Sequence, residues 1–305
     1  MTGRKKGKSW REKLAVSAGV GAFALMLEIW KELHEFKVKR FRIKLPFETA
    51  KGETVKLIFL SDLHGKQYGE RNQELVSAIL KERPDYILIG GDLLTRKKES
   101  TDSTAISLLR RLVKLCPVYL ANGNHEQKMR VNPEEYGGRY EAYIREAKRL
   151  GVHVLVNETE YLDMKGIPAA VSGLEIPLGC YAHFRTRELA YSDIRERIGK
   201  AENGRYHILL AHSPVYFDTY VKWGADLSLS GHLHGGIIGI PKLGGFITPQ
   251  ARLFPKYSGG IYRKGKKLGI VSRGLGTHTV NVRLFNPAEL AVVEICSCVR
   301  EKNQV

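Results

Sequence analysis

Acidic, amide and imidazole side chains occur in five short clusters of this 305-residue sequence, each directly after a run of apolar residues. The clusters are Ser61-Asp62-Leu63-His64, Gly90-Gly91-Asp92, Asn122-Gly123-Asn124-His125-Glu126, Ala211-His212-Ser213 and Gly231-His232-Leu233-His234-Gly235. Because ligands of open α/β sheets collect at the carboxyl ends of strands, we expect the five clusters to meet at one edge of the fold.

The residue types in these clusters favour metal binding. Histidine and carboxylate ligands without thiolates suit Mn²⁺, Zn²⁺ or Fe rather than a cysteine-based structural zinc site. In Asp62-x-His64 and His232-x-His234 the two side chains face the same way on a strand, or diverge towards two metals in a loop. Asp92 could bridge two metals through its two oxygens. Two metals about 4 Å apart can deprotonate a water near neutral pH and clamp both oxygens of a phosphoryl displacement.

In order and spacing, the five clusters resemble the signature of the calcineurin-like metallophosphoesterases. The resemblance runs from about Leu57 to the end of the chain. The segments that follow His234 also resemble a bacterial branch of the family that carries an N-terminal membrane segment or export signal. Those segments are Gly235-Gly236, Phe254-Pro255-Lys256-Tyr257-Ser258-Gly259-Gly260 and Ser272-Arg273-Gly274-Leu275-Gly276.

The resemblance implies a fold and a ligand set. The fold is an α/β, four-layer α/β/β/α sandwich of two mixed sheets. The implied ligands of one metal are Asp62, His64, Asp92 and His234. Those of the other are Asp92, Asn124, His212 and His232. His125 would donate a proton to the leaving oxygen rather than bind metal, although a phosphate-stabilising or structural role stays open, and Glu126 would support the ligands or begin a helix.

These expectations define an enzyme, a metal-dependent phosphoric ester hydrolase with two divalent ions, Mn²⁺, Zn²⁺ or Fe. The substrate would be a phosphorylated small molecule or lipid, cleaved by a metal-activated hydroxide in a phosphodiesterase or phosphatase reaction. The alternative is a nuclease or cyclic-nucleotide phosphodiesterase of the same fold, although the sequence contains no zinc-finger or RNP motif. A non-catalytic scaffold is disfavoured because every ligand position of the signature is filled.

Alternating strand and helix patterns predict the elements that position these clusters. The predicted strands are Val55–Leu60, Tyr86–Ile89, Val118–Leu120, Val152–Val156, a pair within Tyr161–Gly173, His207–Ala211, Leu227–Leu229, Leu268–Val271, Thr279–Leu284 and Leu290–Ile295. The predicted helices are Glu70–Glu82, Thr104–Leu115, Glu134–Leu150 and Arg185–Gly199.

A stretch without any acidic residue follows the fourth cluster. Residues 227–288 contain nine Lys or Arg and no Asp or Glu, within a chain of net charge +17. Because the stretch includes His232 and His234, we expect it to form a wall of the active-site mouth that attracts an anionic substrate. A solvated basic loop is the alternative. Arg273, in a glycine-flanked turn, could hold a substrate phosphate or lie free on the surface, and His278 could lie near the site.

The N-terminal 44 residues form a separate region with 12 Lys or Arg and four Glu. They include 14 uncharged residues from Leu14 to Leu27 between basic flanks. A helix that spans a membrane typically has about 20 apolar residues, so this run is short for a span. A membrane anchor, a helix lying on the membrane and a helix docked on the domain all stay open. We expect a membrane-associating segment and linker at 1–44 and a catalytic domain at 45–305, with the domain outside the cytoplasm, or alternatively at the cytoplasmic face.

Composition excludes several other classes of protein. A hydrophobic fraction of 43% and a charged fraction of 27% are those of a globular chain rather than a disordered or fibrous one. The four cysteines, Cys116, Cys180, Cys296 and Cys298, include no C-x-x-C pair and are too scattered for a disulfide scaffold.

Overall fold

The computed structural model describes residues 10–49, 53–97, 102–182, 187–240, 244–247, 253–277 and 280–299. Their α-helices are α1 (Trp10–His34), α2 (Gln73–Glu82), α3 (Asp102–Leu112), α4 (Asn124–Val131), α5 (Pro133–Tyr136), α6 (Arg139–Arg149), α7 (Tyr191–Ile198) and α8 (Phe217–Trp223). Their strands are β1 (Phe36–Thr49), β2 (Thr54–Leu60), β3 (Tyr86–Ile89), β4 (Val118–Ala121), β5 (His153–Leu155), β6 (Glu158–Asp163), β7 (Pro168–Leu174), β8 (Tyr206–Ala211), β9 (Leu227–Ser230), β10 (Ile238–Ile240), β11 (Gly244–Ile247), β12 (Gly260–Lys264), β13 (Lys267–Val271) and β14 (Ala288–Val299).

The strands form two large mixed sheets and one small sheet. The first large sheet has the order β1-β14-β2-β3-β4-β5, and β2 to β5 run parallel. The second has the order β12-β13-β9-β8-β7-β6, in which β13, β9, β8 and β7 run parallel. The strands β10 and β11 pair with each other in an antiparallel hairpin.

Alternation along β2 shows how the layers are built. Val55, Leu57 and Phe59 enter the apolar core between the two large sheets, whereas Ile58 and Leu60 enter the core beneath α2, α3 and α6. Successive side chains of a strand point to opposite faces, so both faces of this strand are buried. A third core lies between the second sheet and α7 and α8. The expected four-layer α/β/β/α sandwich of two mixed sheets is confirmed.

The folded domain begins before residue 45, the boundary expected from the sequence. Strand β1 begins at Phe36 and pairs in parallel with β14, from Phe36 opposite Ala288 to Thr49 opposite Val299. Residues 36–44, expected to be linker, therefore belong to the first sheet. Phe41 and Ile43 are buried between the sheets, while the basic side chains that alternate with them remain exposed. The basic side chains of Lys37–Lys44 lie at the surface of this edge strand.

Two other predicted elements differ from the structure. The predicted strand Thr279–Leu284 is not formed in its described residues, apart from one bridge between Leu284 and Ile238. Arg283 lies instead in a buried turn, where its guanidinium donates to the carbonyl oxygens of Arg273, Gly274, Gly276 and Asn286. The predicted helix Glu134–Leu150 is divided into α5 and α6 because Gly137 and Gly138 both have positive φ angles, of 60° and 71°.

Helix α1 is a continuous helix of 25 residues that is long and apolar enough to cross a membrane, a property that a signal sequence near an N-terminus shares. Every residue from Trp10 to Leu27 is exposed. The alternative in which this part of the chain docks on the domain is therefore wrong.

The basic stretch 227–288 does not form one wall. Strand β13 runs parallel to β9, so the turn between β12 and β13 lies at the opposite edge of the sheet from His232, which follows the end of β9. This places Arg263, Lys264, Lys266 and Lys267 away from the ligand loops. Lys264 and Lys267 pair there with Asp218 and Asp226 at 2.6 and 2.7 Å. Arg273 follows the carboxyl end of β13. Lys242, Arg252 and His278 lie outside the described residues.

Candidate metal centre

The five clusters converge at the carboxyl ends of β2, β3 and β4 in one sheet and of β8 and β9 in the other. Backbone hydrogen bonds join the loops to one another. The N–H groups of Asp62 and His64 donate to the carbonyl oxygens of Gly91 and Asp92, both at 3.0 Å. The N–H of Gly231 donates to the carbonyl oxygen of His212, also at 3.0 Å. Within each sheet, the ligand loops are therefore hydrogen-bonded to one another.

Five of the seven expected ligands have left-handed backbone conformations. Their φ angles are 53° at Asp62, 48° at His64, 54° at Asp92, 68° at His232 and 52° at His234. Each such conformation costs a non-glycine residue about 1–2 kcal/mol. Strain of this kind persists where surrounding contacts hold it, and it is concentrated at functional sites.

The middle residue of each i, i+2 pair is a buried leucine. Leu63, between Asp62 and His64, is fully buried in the core beneath α2 and α3. Leu233, between His232 and His234, is 4% exposed. Both leucines are removed from solvent, and the polar side chains on either side of each leucine belong to the ligand clusters.

Two glycines give the carboxylates room. A Cβ atom at Gly231 would lie 2.0 Å from Oδ2 of Asp62, and one at Gly123 would lie 2.1 Å from Oδ1 of Asp92. Both distances are far below van der Waals contact, so any side chain at either position would displace the carboxylate. The glycines of these clusters are required by packing against the ligands themselves.

Asp62, His64 and His234 form one buried group of possible metal ligands. Nε2 of His64 and Nε2 of His234 are 3.4 Å apart. Nε2 of His234 lies 3.5 Å from Oδ1 of Asp62. The carboxylate of Asp62 is held in place by the N–H of His232, which lies 3.0 and 3.1 Å from its two oxygens.

Asp62, Asp92 and His212 form a second group that shares Asp62 with the first. Nε2 of His212 lies 3.1 Å from Oδ2 of Asp92 and 3.6 Å from Oδ1 of Asp62. Burial alone would lower the pKa of His212, but the two carboxylates outweigh it and raise the pKa to about 10. Burial would likewise raise the pKa of Asp92, but His212, His125 and His64 lower it well below its ordinary value. The two groups together place two carboxylates and three imidazole rings around one compact, buried centre.

Carbonyl oxygens orient the imidazole rings of three expected ligands. Nδ1 of His64 donates to the carbonyl oxygen of Leu94 at 3.2 Å, and Nδ1 of His234 to that of Gly276 at 3.1 Å. Nδ1 of His212 donates to the carbonyl oxygen of Gly90 at 2.8 Å. A carbonyl oxygen can only accept, so each neutral ring carries its proton on Nδ1 and presents the Nε2 lone pair to the centre, as metal-binding histidines do.

His125 has the opposite arrangement. Its Nδ1 accepts a hydrogen bond from the backbone N–H of Arg96 at 3.2 Å, which leaves the proton of the neutral ring on Nε2. Its ring centroid lies 4.8 Å from that of His64, and it forms a third group with His64 and Asp92. The backbone N–H of His125 donates to Oδ1 of Asp92 at 2.9 Å. His125 therefore lies beside the same centre as a potential Nε2–H donor.

The two other expected ligands, His232 and Asn124, lie at the side of His212 and His125. The ring of His232 is 5.3 Å from that of His212 and outside the three groups. Burial lowers the pKa of His232 to about 3, so the ring is neutral. Asn124 is the first residue of α4, and its Oδ1 is buried without a hydrogen-bond partner. A buried polar atom without a partner is costly, and an amide oxygen is a possible metal ligand.

Glu126 joins two of the ligand loops. Its buried carboxylate accepts the N–H groups of Asp92 at 2.8 Å, Leu94 at 2.9 Å and Gly123 at 3.0 Å. Burial and the charge of Asp92 raise the pKa of Glu126 to about 8, against the effect of these N–H groups. The expectation that Glu126 supports the ligands or begins a helix agrees with this arrangement, since it lies in the first turn of α4.

Two nearby residues carry no signal of their own in the sequence. The ring of Tyr181 packs edge-on against His232 with centroids 5.0 Å apart. The side chain of Asn286 donates to the carbonyl oxygen of His234 at 2.7 Å. Neither belongs to a recognisable motif, and both are brought to the centre by long-range packing. Arg273 is the arginine that the sequence offers as a possible phosphate-binding residue. Its side chain packs along Gly235 and Gly259 beside the His234 loop.

Comparison with known protein families decides the class of this site. The sequence model of the calcineurin-like phosphoesterases matches residues 55–236, which is more than half of the chain and contains every expected ligand.

The chain is a calcineurin-like phosphoesterase.

Membership of this family makes the chain a metal-dependent phosphoester hydrolase. Two relatives match almost the whole length of the phosphoesterase. An uncharacterized metallophosphoesterase of Aquifex aeolicus is 28% identical over 283 residues, which are 89% of this chain and 97% of that protein. Phosphodiesterase YaeI of Escherichia coli is 23% identical over 284 residues, 92% of this chain and 94% of that protein. Among solved structures, phosphopantetheinyl hydrolase of Mycobacterium tuberculosis has a TM-score of 0.43 at 17% identity, over 72% of this chain and 89% of that chain.

Proposed function

We propose that this phosphoesterase is a dinuclear phosphodiesterase that acts at a membrane. The observation that carries the proposal is the position of Asp92, whose Oδ2 lies 3.1 Å from Nε2 of His212 and 3.8 Å from Nε2 of His64. One carboxylate oxygen thus faces both groups of histidines, as a bridging ligand must. Cleavage of diesters rather than monoesters is supported by the similarity to phosphodiesterase YaeI of Escherichia coli.

The proposed ligands divide into two sets that share Asp92. One set is Asp62, His64, Asp92 and His234, and the other is Asp92, Asn124, His212 and His232. When bound, two divalent ions, Mn²⁺, Zn²⁺ or Fe, would generate the hydroxide nucleophile from water near neutral pH. The chain's own contribution is to hold the imidazole Nε2 atoms and carboxylate oxygens in place through the carbonyl acceptors and the N–H donors described above.

His125 is the proposed proton donor to the leaving oxygen. The hydrogen bond from the N–H of Arg96 to its Nδ1 places the proton of the neutral ring on Nε2. Loss of a general acid of this kind slows chemistry by about 10²–10⁴. Arg273, which packs beside the His234 loop, is the proposed partner of a substrate phosphate oxygen, because its guanidinium presents several donors to such an anion.

Helix α1 supports action at a membrane. Trp10 and Trp30 stand near its ends, 69% and 59% exposed, and the 20 steps from one to the other extend about 30 Å at 1.5 Å per residue. The hydrocarbon core of a bilayer is about 30 Å thick, and tryptophan is enriched at its boundaries. The segment Leu14–Leu27 is apolar on all sides, whereas a helix lying on a membrane keeps a charged face. A spanning anchor with the catalytic domain outside the cytoplasm is the proposed arrangement.

The test is hydrolysis by the full-length chain in detergent micelles after loading with Mn²⁺. We expect turnover of bis(4-nitrophenyl) phosphate to exceed that of 4-nitrophenyl phosphate, and both to be lost with a chelator. A chain that binds metal but cleaves neither ester would contradict the proposal. The nuclease alternative predicts a steep salt dependence of oligonucleotide binding. It is weakened by the position of the four lysine and arginine residues of the β12–β13 turn, at the opposite edge of the sheet.

A further inference from the structure

The last turn of α1 is fastened to the backbone of a metal ligand. Glu32 is 5% exposed, and its carboxylate accepts the N–H of Asn286 at 2.8 Å. The side chain of Asn286 in turn donates to the carbonyl oxygens of His234 at 2.7 Å and of Gly236. Two hydrogen bonds, from Asn286 to Glu32 and from Asn286 to His234, therefore connect the end of the apolar helix to the His234 loop. Whatever surrounds the end of α1 lies close to the metal centre.

Exposed apolar side chains occur on the segments next to this connection. Leu253, Phe254 and Phe285 are 59%, 63% and 46% exposed, and we call these three residues the apolar rim. Phe285 directly precedes Asn286, whose N–H is bonded to Glu32. Leu253 and Phe254 lie beside β11, where the N–H of Phe254 donates to the carbonyl oxygen of Phe246 at 2.9 Å.

The two parts of the rim belong to one surface. The segment that holds Phe285 runs along β10, because the N–H of Gly239 donates to the carbonyl oxygen of Leu284 at 2.8 Å. Strand β10 pairs with β11, against which Phe254 packs through Phe246, ring to ring at 5.1 Å. The hairpin of β10 and β11 begins two residues after Gly236 and thus continues from the His234 loop.

Backbone strain at the rim is a second, independent observation. The φ angles of Phe254 and Phe285 are 46° and 53°. Bulky residues are rare in this region, and Asn or Gly would adopt it at lower cost. Both rings are nevertheless largely exposed to solvent, at 63% and 46%. A partner that contacts the rings would explain why phenylalanine stands at both positions.

We propose that the apolar rim enters the interface of a lipid bilayer beside the end of α1 and so holds the metal centre at the membrane surface. Lipid is the expected partner of the rim because the exposed apolar surface of α1 leads into the same region. That surface ends in the exposed ring of Trp30. Lys31 and Lys37, which flank the junction of α1 and β1, complement anionic headgroups. The proposal rests on the proposed function for its membrane anchor, and it specifies the substrate as a phosphoester carried by an amphiphile in that membrane.

The first experiment measures whether the rim contacts lipid. The full-length chain with Phe254→Trp or Phe285→Trp is reconstituted into vesicles of phosphatidylcholine and phosphatidylglycerol with brominated acyl chains. The emission of the unsubstituted chain is subtracted. At a depth typical of interfacial residues we expect about twofold quenching of the added tryptophan. Leu80→Trp, at a position 57% exposed on α2, is the matched control and should not be quenched.

The second experiment measures what the rim does for hydrolysis. Hexadecyl 4-nitrophenyl phosphate in vesicles is compared with the soluble methyl 4-nitrophenyl phosphate, which contains the same scissile diester. The double variant Phe254→Asn, Phe285→Asn keeps residues that accept a left-handed backbone. We expect it to lose about tenfold in rate on the hexadecyl ester, since apolar burial at the interface is removed, and to keep its rate on the methyl ester. Leu80→Gln should change neither rate.

Several outcomes would overturn the inference. They are equal quenching at positions 254 and 80, equal loss of rate on both esters, or an unquenched rim in a chain that is dimeric in detergent through Phe254 and Phe285. The last result would assign the rim to a contact between two copies. If the unsubstituted chain cleaves neither ester, the proposed function fails, while the quenching experiment still decides whether the rim contacts lipid.

Discussion

The Nε2 atoms of His64 and His234 lie 3.4 Å apart, although 170 residues separate the two histidines in the chain. Nδ1 of each ring lies at a carbonyl oxygen, which directs both Nε2 atoms to the same buried point beside Asp62. A cation at that point could bind both nitrogen atoms.

Metal addition should stabilise the protein. A ligand present at 1,000 times its dissociation constant adds about 4 kcal/mol to the free energy of unfolding. We expect Mn²⁺ to raise the melting temperature of the full-length chain in detergent by several degrees, and a chelator to reverse the effect. In the double variant His64→Ala, His234→Ala the rise should be much smaller. An unchanged melting temperature with Mn²⁺, Zn²⁺ and Fe²⁺ alike would contradict a metal centre here.

Asp92→Asn should nearly abolish hydrolysis. The amide removes the negative charge that faces His212 and His64, and with it the proposed bridge between two ions. Metal content, measured by elemental analysis, and turnover of bis(4-nitrophenyl) phosphate should fall together. Asp218→Asn, at a half-exposed residue on α8 beside Lys264, is the control and should leave both unchanged. Two bound metals and full activity in Asp92→Asn would exclude the bridging role.

His125→Ala should retain both metals and slow the chemical step by about 10²–10⁴, the range for the loss of one general acid. The loss should be smaller for nitrophenolate, which leaves without protonation, than for an alkoxide. The comparison is made between 4-nitrophenyl and alkyl diesters under single-turnover conditions. The same loss with both leaving groups would instead indicate that His125 binds the phosphate.

The pH dependence of folding stability and of metal affinity should follow the protonation of His212. Its pKa is raised from 6.5 to about 10 because Asp92 and Asp62 outweigh its burial. A raised pKa stabilises the protonated folded state. With a chelator present, this contribution is complete below pH 6.5 and is lost as the pH rises through about 10. Metal binding must displace the same proton, so metal affinity should increase with pH across this window.

Two measurements check the pH prediction. Urea unfolding of the full-length chain in detergent with chelator should show a decreasing free energy of unfolding from pH 6.5 upwards. Calorimetry of Mn²⁺ binding in buffers of different ionisation enthalpy should show proton release near neutral pH. His212→Ala should remove the proton release, and its persistence in that variant would assign the proton to another group.

Membrane association should depend on α1 and resist salt. Screening weakens attraction to headgroups but not burial in hydrocarbon, so high salt should leave a spanning helix in place and release one that lies on the surface. We expect the full-length chain to sediment with membranes at high salt. A chain that begins at Lys31 keeps Glu32 and β1 and should stay in the supernatant with an unchanged melting temperature. Full-length protein that is soluble at low salt would contradict both forms of association.

The ligand clusters could be predicted from the sequence because they depend on local patterns. Runs such as Val55–Leu60 and Tyr86–Ile89 are apolar enough to be read as buried strands, and polar residues follow them directly. Parallel strands bring their carboxyl ends to one edge of a sheet, so the meeting of Asp62 with Asp92 follows from the strand pattern alone. The two-sheet architecture could be predicted only from the resemblance of these clusters to the family signature.

Tertiary structure decided the features that depend on partners distant in the chain. The run Lys37–Lys44 has the composition of a charged linker, and only the neighbouring strand β14 makes it a strand. The direction of β13 beside β9 moved four basic residues to the far edge of the sheet. Nothing in the residue type of His64 or His125 states which ring nitrogen carries the proton, because the carbonyl of Leu94 and the N–H of Arg96 decide it. A sequence specifies which groups exist, whereas protonation, strain and exposure arise from the groups that folding places around them.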